Sequence, residues 1–178
     1  INLSITTLDA SLSRAMEPRA APPQRRLHAL EMLVKAGIPV RIMIGPVLPG
    51  LTEHEIPAIL KSAADAGAQG ASYTMLRLPH GVKYLFQTWL QEHYPERAQK
   101  ILNRIRQVRG GQLNDSRFGS RMRGEGIYAQ QIAEIFSLYK KRYGLNKRRS
   151  ALSTDHFRRD ARAAQLKVRK AVGILGDL

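Results

Sequence analysis

The sequence predicts an α/β protein with three parallel βα units, followed by a helical, basic C-terminal extension. Three apolar, β-branched segments recur at intervals of about 30 to 40 residues, and segments of helical periodicity separate them. Strand–helix–strand connections of this kind are right-handed and make the strands parallel. A complete eight-unit barrel needs about 250 residues. Three units in 178 residues therefore predict part of a (β/α) barrel or a small open sheet.

The strands are predicted at residues 1–7, 39–45 and 71–78, and they are mostly apolar, as in sheets covered on both faces. Pro22 and Pro23 favour the start of the first helix, which Gly37 ends.

The second helix is predicted to begin at a Ser/Thr-x-x-Glu capping box, Thr52–Glu55, and to end at Gly67. Residues 8–21 are predicted to be an irregular connection.

After Pro79 the periodicity predicts helices around 82–90, 98–108 and 132–139, with a Gly-, Arg- and Ser-rich loop at 112–126. The predicted division is a partial barrel at 1–79, a helical extension at 80–144 and a basic tail at 145–178. A further helix is predicted across 155–171.

The composition excludes some classes of protein and favours a polyanionic partner. The net charge is +15, and residues 100–178 hold 19 basic and six acidic side chains. Such a surface attracts phosphates. The absence of cysteine excludes a disulfide framework and thiolate metal sites within these residues. No apolar stretch is long enough to span a membrane and no secretory signal is visible, so we expect a cytoplasmic protein.

Parallel α/β sheets carry their sites at the carboxyl ends of the strands. This rule selects Thr6, Thr7 and Asp9 after the first strand, residues 46–50 after the second, and 77–80 after the third. Ser4 and Thr6 share one strand face, and their hydroxyls are suited to a ribose or a carboxylate. The alternative is that each hydroxyl bonds a neighbouring backbone group.

Two arginines are candidate anion-binding residues. Arg19 lies on a stiff Glu17-Pro18-Arg19 loop, where it either binds a carboxylate or phosphate or pairs with Glu17 at the surface. Arg77 is predicted on the same strand face as Tyr73 and Met75. If Arg77 points into a ligand crevice, its charge requires an anionic partner. The alternative is that Arg77 lies at the end of the strand and faces solvent.

Motifs for several reactions are absent from the sequence. The five histidines have no metal-ligand spacing, and there is no P-loop, no Gly-x-Gly-x-x-Gly and no Gly-x-Ser-x-Gly. Serine-nucleophile and kinase chemistry therefore lack support.

The basic half carries two candidate contacts with nucleic acid. Arg117, Arg121 and Arg123 lie beside Phe118 and are suited to stacking on bases and neutralising phosphates. Neighbouring acidic and amide side chains indicate internal hydrogen bonds in the same loop. Residues 140–149 are rich in Lys and Arg and contain no acidic residue. They are either a binding surface for a polyanion or a solvated tail that binds polyanions only non-specifically.

Several phrases resemble one enzyme family over residues 1–145. They are SITTLD at 4–9, EPR at 17–19 with RRL at 25–27, AGIPV at 36–40, GPVLPGL at 45–51 followed by EI at 55–56, RLP at 77–79 and LNDSRFGSRMRG at 113–124. They resemble the second half of a radical S-adenosylmethionine barrel. More narrowly, they resemble the bacterial radical SAM proteins related to spore photoproduct lyase, called DNA repair photolyase-like.

The resemblance implies two cofactors and a reaction. Such enzymes hold a 4Fe–4S cluster on three cysteines, and they cleave S-adenosylmethionine to a 5′-deoxyadenosyl radical that removes hydrogen from a substrate. This sequence has no cysteine. The cluster ligands are therefore expected in an N-terminal part of the full-length chain, and the isolated fragment is expected to be inactive. The hydrogen-donor cysteine of the photoproduct lyase has no counterpart either.

The resemblance also implies roles for residues on the strands. Ser4, Thr6 and Arg19 would contact the ribose and methionyl group of S-adenosylmethionine. Gly45, Pro46 and Val47 would pack on its adenine. Arg77 would face cosubstrate or substrate, and the implied substrate includes DNA or RNA.

Two other functions compete with this one. The first is a basic nucleic-acid-binding module without chemistry of its own, which rests on the charge of residues 100–178. The second is a phosphate-handling barrel enzyme, which the absence of a phosphate-cradling glycine motif disfavours.

Overall fold

The computed structural model describes residues 1–147 and 153–154. Residues Ile1–Arg148 form one compact unit and Arg149–Leu178 a second. All strands and helices of the described residues belong to the first unit. The helix predicted across 155–171 lies outside the described residues.

The first unit is built on a parallel three-stranded sheet. Its strands are β1 (Asn2–Ile5), β2 (Arg41–Val47) and β3 (Ala71–Met75), in the spatial order β1-β2-β3. Both strand pairs are parallel, which confirms the predicted α/β class and the βαβαβ order. The described sheet has three strands and is open.

Three helices connect the strands. They are α1 (Ala10–Met16), α2 (Pro23–Lys35) and α3 (Ile56–Asp65). The prediction missed α1, which falls within the supposed irregular connection. Asp9 starts this helix, because its side chain accepts hydrogen bonds from the backbone N–H groups of Ser11 and Leu12.

The predicted capping box before α3 is wrong. Residues Glu53–Glu55 form a short 3₁₀ helix, and the Thr52 side chain does not cap α3. Instead, the Thr52 hydroxyl oxygen accepts a hydrogen bond from the backbone N–H of Leu48, at 2.9 Å. Pro57 lies in the first turn of α3, where its missing N–H costs nothing.

The two faces of the sheet differ in chemistry. One row across the strands, Ile5, Ile44 and Tyr73, belongs to the core that also contains residues of α2 and α3. The adjacent row, Ser4, Met43 and Ser72, points to the opposite face. The helices therefore cover the apolar face, and the other face is polar.

The extension contains four helices: α4 (Val82–His93), α5 (Pro95–Gln107), α6 (Ser120–Arg123) and α7 (Ile127–Arg142). The α4–α5 pair forms a second core over the loops that follow the strands, with Leu48, Leu76 and Leu78 packed among its residues. Helix α7 packs on α3, and its Phe136 joins the main core.

Residues after α7 return to the sheet. The backbone N–H of Ala71 donates to the carbonyl of Leu145 at 3.2 Å, and that of Lys147 donates to the carbonyl of Gln69 at 3.2 Å. These bonds cover the start of the outer edge of β3. No helix in the described part of the chain combines the length and apolarity needed to cross a membrane.

Candidate functional site

Four hydroxyl side chains share the polar face of the sheet. Ser4 and Ser72 flank Met43 in one row across the strands. The next row toward the carboxyl ends brings Thr74 against Gly45, where a Cβ on the glycine would lie 3.0 Å from the Thr74 Oγ1. Together with Thr6 they form what we call the hydroxyl face: Ser4, Thr6, Ser72 and Thr74.

The hydroxyls of this face are only partly used inside the protein. Thr6 is buried and its hydroxyl donates to the carbonyl of Gly45 at 3.1 Å, as the backbone-bonding alternative predicted. The Ser72 hydroxyl donates to the carbonyl of Ile42 at 3.4 Å, which is long. Within the described residues the O–H groups of Ser4 and Thr74 have no acceptor. The face therefore offers two free donors.

The cation beside the hydroxyl face is Arg26 rather than Arg19. Its guanidinium donates to the backbone carbonyl of Ser4 at 2.9 Å and to the Ser4 hydroxyl oxygen at 3.2 Å. It also forms a 3.0 Å ion pair with Glu17, whereas the Glu17–Arg19 pair, one of the two alternatives for that loop, is not among the ion pairs of the described residues. Arg19 is exposed to solvent. No local spacing in the sequence signals this contact, because it joins α2 to the edge of β1.

The Gly45–Val47 segment splits between the two faces. The register of β2 against β3 shifts between Ile44 and Val47. Val47 therefore returns to the helix-covered face, where it is fully buried in the main core. The Val47 side chain therefore does not share the polar face with Gly45, and the contact of residues 45–47 with adenine stays a prediction. Gly45 stays next to Thr74 and Pro46 is half-buried.

The predicted environment of Arg77 also needs correction. Strand β3 ends at Met75, so Arg77 lies in the following loop, where it is exposed. Tyr73 packs against Phe136 with ring centroids 4.7 Å apart, and Met75 is buried in the same core. The two side chains predicted to share a face with Arg77 thus point toward the helices.

The residues of β3 that do reach the polar face are Ser72 and Thr74, which the sequence reasoning missed. The alternation of small hydroxyl and larger side chains along residues 71–75 is the signal that could have found them.

The loop after β1 is held by hydrogen bonds to the half-buried carboxylate of Glu55. One Glu55 carboxylate oxygen accepts from the Thr7 hydroxyl at 2.6 Å, and the other accepts from the backbone N–H of Leu8 at 2.7 Å. The Thr7 hydroxyl oxygen in turn accepts from the backbone N–H of Asp9 at 3.0 Å. Thr7 and Asp9, two of the residues selected by the strand-end rule, therefore fix the backbone at the carboxyl end of β1.

A buried arginine joins the end of β3 to the Gly/Arg-rich loop. Arg109 is 1% exposed, and one of its terminal nitrogens donates to the carbonyls of Met75 and Leu76. The other donates to the carbonyls of Ser120 and Arg121, at 3.2 and 2.9 Å. Burial lowers the pKa of Arg109. No periodicity or motif in the sequence marks Arg109 among the chain's many arginines.

The Gly/Arg-rich loop is organised by Asp115. This carboxylate accepts from the backbone N–H of Arg117 at 2.9 Å, from the Arg117 guanidinium and from the Ser120 hydroxyl. Arg117 also forms a 2.7 Å ion pair with Glu125. The indicated internal hydrogen bonds are confirmed. The Arg117 guanidinium is therefore paired with two carboxylates of its own loop, those of Asp115 and Glu125.

The tip of this loop presents an aromatic ring to solvent. Phe118 is 90% exposed, and the guanidinium of Arg121 lies 4.5 Å from its ring centroid. Arg123 is also exposed. An exposed ring with a stacked cation is suited to binding an unpaired base.

The pH dependence of stability should reveal the Asp115 contacts. Hydrogen bonds from Arg117 and Ser120 hold the pKa of Asp115 far below its ordinary value. Because the folded-state pKa is depressed, the ionised Asp115 carboxylate stabilises the fold at pH values above its unfolded-state pKa of about 3.9. This stabilisation is lost progressively as the pH falls below that value. We expect the stability difference between wild type and Asp115→Asn to be constant above about pH 5 and to shrink below about pH 4. Denaturant unfolding at several pH values measures it. A difference that stays constant down to about pH 2.5 would contradict this assignment.

The described residues contain no cluster of histidine, cysteine, aspartate and glutamate side chains that could hold a metal ion. The 178 residues contain no cysteine, so they do not fit a 4Fe–4S cluster held by thiolates. Within the described residues, the hydroxyl face carries two hydroxyl groups without an acceptor, those of Ser4 and Thr74.

Comparisons with known proteins give relatives without a stated activity. The chain is 30% identical over 110 residues to the uncharacterized protein Rv2578c of Mycobacterium tuberculosis, a stretch that covers 61% of this chain and 31% of the relative. The same figures hold for an uncharacterized protein of Mycobacterium bovis. An uncharacterized protein of Acidianus two-tailed virus is 30% identical over 81 residues, which are 43% of this chain and 27% of that protein.

The chain thus spans about a third of the length of the mycobacterial relatives it matches. No family model and no solved structure matches it.

Proposed function

We propose that this chain supplies the cosubstrate-binding strands of a radical SAM enzyme related to spore photoproduct lyase, an enzyme that acts on nucleic acid. The observation that carries the proposal is the hydroxyl face, two rows of small polar side chains that continue to the carboxyl ends of a parallel sheet whose other face belongs to the apolar core. Parallel sheets of this type bind ligands at that end. The sequence phrases that resemble the family lie on the same strands and loops.

In this proposal the chain's residues bind and orient S-adenosylmethionine. When bound and reduced, that molecule supplies the radical that removes a hydrogen atom from the substrate. The free hydroxyls of Ser4 and Thr74 donate to its ribose or carboxylate. Arg26 keeps the Ser4 backbone in place at the edge of β1. Arg77 remains a predicted contact to cosubstrate or substrate.

The iron–sulfur cluster belongs, in this proposal, to a part of the protein outside the present sequence. We expect the native protein, isolated from its source without oxygen, to be longer than 178 residues and to contain about four irons with matching sulfide. Intact mass and iron and sulfide assays measure this. An iron-free native protein under these conditions would refute the cluster assignment.

A second candidate is a nucleic-acid-binding module, which the exposed Phe118–Arg121 stack favours. Stacking of one base on an aromatic side chain contributes about 1–3 kcal/mol. We therefore expect Phe118→Ala to weaken binding of a single-stranded oligonucleotide about tenfold, measured by fluorescence anisotropy. Leu138→Ala, a change at an exposed apolar residue of α7, is the control and should have no effect. Equal affinities for wild type and Phe118→Ala would remove this role of the loop tip.

The basic-module hypothesis also makes a prediction about salt. Binding by the 178-residue chain should weaken steeply as salt rises, because phosphate contacts release counterions. It should be lost when residues 146–178 are removed. Salt-independent binding would argue against a contact with phosphates.

A further inference from the structure

A polar cleft of about 380 Å³ lies between the loop that follows β3 and the segment that follows α5. It is separate from the hydroxyl face. Its lining residues are Leu78, His80, Lys83, Arg106, Gly111, Gln112, Leu113 and Asn114.

The cleft concentrates positive charge without a counter-charge. Two of its lining residues, Lys83 and Arg106, carry a positive charge, and none of the lining residues is acidic. Among the described residues, neither Lys83 nor Arg106 forms a salt bridge. The Arg106 guanidinium donates to the Asn103 side-chain oxygen, at 3.0 Å, and the Lys83 ammonium lies 5.0 Å from the centroid of the Tyr84 ring. Arg26 and Arg117, by contrast, are each paired with a carboxylate.

A backbone N–H group and a side-chain amide add hydrogen-bond donors to the positive charge of the cleft. Lys83 is the second residue of α4, a 12-residue helix whose N-terminus has no side-chain cap and no acidic residue in its first turn. In the first turn, the N–H groups of Val82 and Tyr84 donate to the carbonyls of Pro79 and Gly81, and among the described residues the N–H of Lys83 has no acceptor, so this group can donate to an anion. On the opposite wall, the Asn114 side-chain oxygen accepts from the backbone N–H of Leu78 at 3.2 Å, so the Asn114 amide nitrogen remains available as a donor.

We propose that this cleft binds the phosphate group of a ligand. A planar guanidinium, an ammonium and neutral N–H donors around one polar cleft are the groups that recognise a phosphate with two negative charges. The site requires neither a cluster nor a radical reaction, so it stands or falls independently of the function proposed above. The phosphate belongs either to a small ligand or to a nucleic-acid backbone.

Two probes distinguish these sources on the 178-residue chain: inorganic phosphate, followed by amide chemical shifts, and a labelled single-stranded oligonucleotide, followed by anisotropy. The test variant is Lys83→Gln/Arg106→Gln. The control is Arg25→Gln/Lys35→Gln, which removes the same charge from exposed positions of α2 outside the cleft and outside the basic half of the chain. The thermal midpoints of both variants should stay near that of wild type, because none of the four side chains is buried.

We expect phosphate to shift the amide signals of Gly111, Gln112 and Asn114 in wild type and control, and not in the test variant. If the test variant also loses at least about tenfold in oligonucleotide affinity while the control loses less than about twofold, the phosphate is that of a nucleic-acid backbone. If oligonucleotide affinity falls equally in both variants, the cleft serves a small phosphorylated ligand. Absence of shifts at the cleft in wild type, or equal shifts in the test variant, would overturn the proposal.

Discussion

Replacing Arg109 with methionine should lower the free energy of unfolding by about 3 kcal/mol or more. The guanidinium donates to four backbone carbonyls on two separate segments, and it is almost completely buried. Methionine fills much of the same volume but donates nothing, and each buried carbonyl left without a partner costs about 1–3 kcal/mol. For a domain of this size the expected fall in thermal midpoint is roughly 6–12 °C.

Two further variants keep this prediction specific. Arg25→Met makes the same chemical change at an exposed position of α2 and should alter stability by less than about 0.5 kcal/mol. Arg109→Lys keeps the positive charge, but a single ammonium group cannot donate to both the end of β3 and the Gly/Arg-rich loop as the planar guanidinium does. This variant should therefore also destabilise the fold. Denaturant unfolding monitored by Trp89 fluorescence measures all three. If Arg109→Met were as stable as Arg25→Met, the buried guanidinium would not be what joins β3 to the Gly/Arg-rich loop.

Removing hydroxyls from the polar sheet face should weaken binding of S-adenosylmethionine to the complete protein by roughly 10- to 100-fold. In Ser4→Ala/Thr74→Val the free donors are lost while the side-chain volumes are nearly kept. Two lost hydrogen bonds to a bound ligand correspond to about 1–3 kcal/mol, or roughly 10- to 100-fold in affinity. Cosubstrate binding measured by calorimetry, alongside deoxyadenosine release, gives the result.

The matched control is Thr88→Val, which removes a hydroxyl from the exposed side of α4. It should bind and turn over the cosubstrate like wild type. A Ser4→Ala/Thr74→Val protein with normal folding and unchanged affinity would mean that the hydroxyl face does not touch S-adenosylmethionine.

The sequence predicts the positions of the strands and helices better than the face of the sheet toward which each side chain points. The β-branched segments and the glycine and proline boundaries locate all three strands and two of the three helices between them. The prediction that Tyr73 and Met75 share a ligand-facing side of β3 with Arg77 is wrong, because both side chains pack in the main core. Ser72 and Thr74 alternate with them along the strand and lie on the polar face, and β3 ends before Arg77.

Other parts of the site depend on contacts distant in sequence. The register shift after Ile44 that buries Val47 has no unambiguous signal in GPVLPGL. The pairing of Arg26 with Ser4 and Glu17 requires α2 to lie against β1. Helix α1 is only seven residues long, and a helix so short depends on its Asp9 cap and its packing more than on periodicity.

The most direct test of the central claim is formation of 5′-deoxyadenosine from S-adenosylmethionine by the complete native protein, purified without oxygen and chemically reduced. We expect deoxyadenosine from wild type and a severe loss in Ser4→Ala/Thr74→Val, with Thr88→Val unaffected. An iron-loaded, reduced protein that binds nucleic acid but forms no deoxyadenosine would contradict the claim.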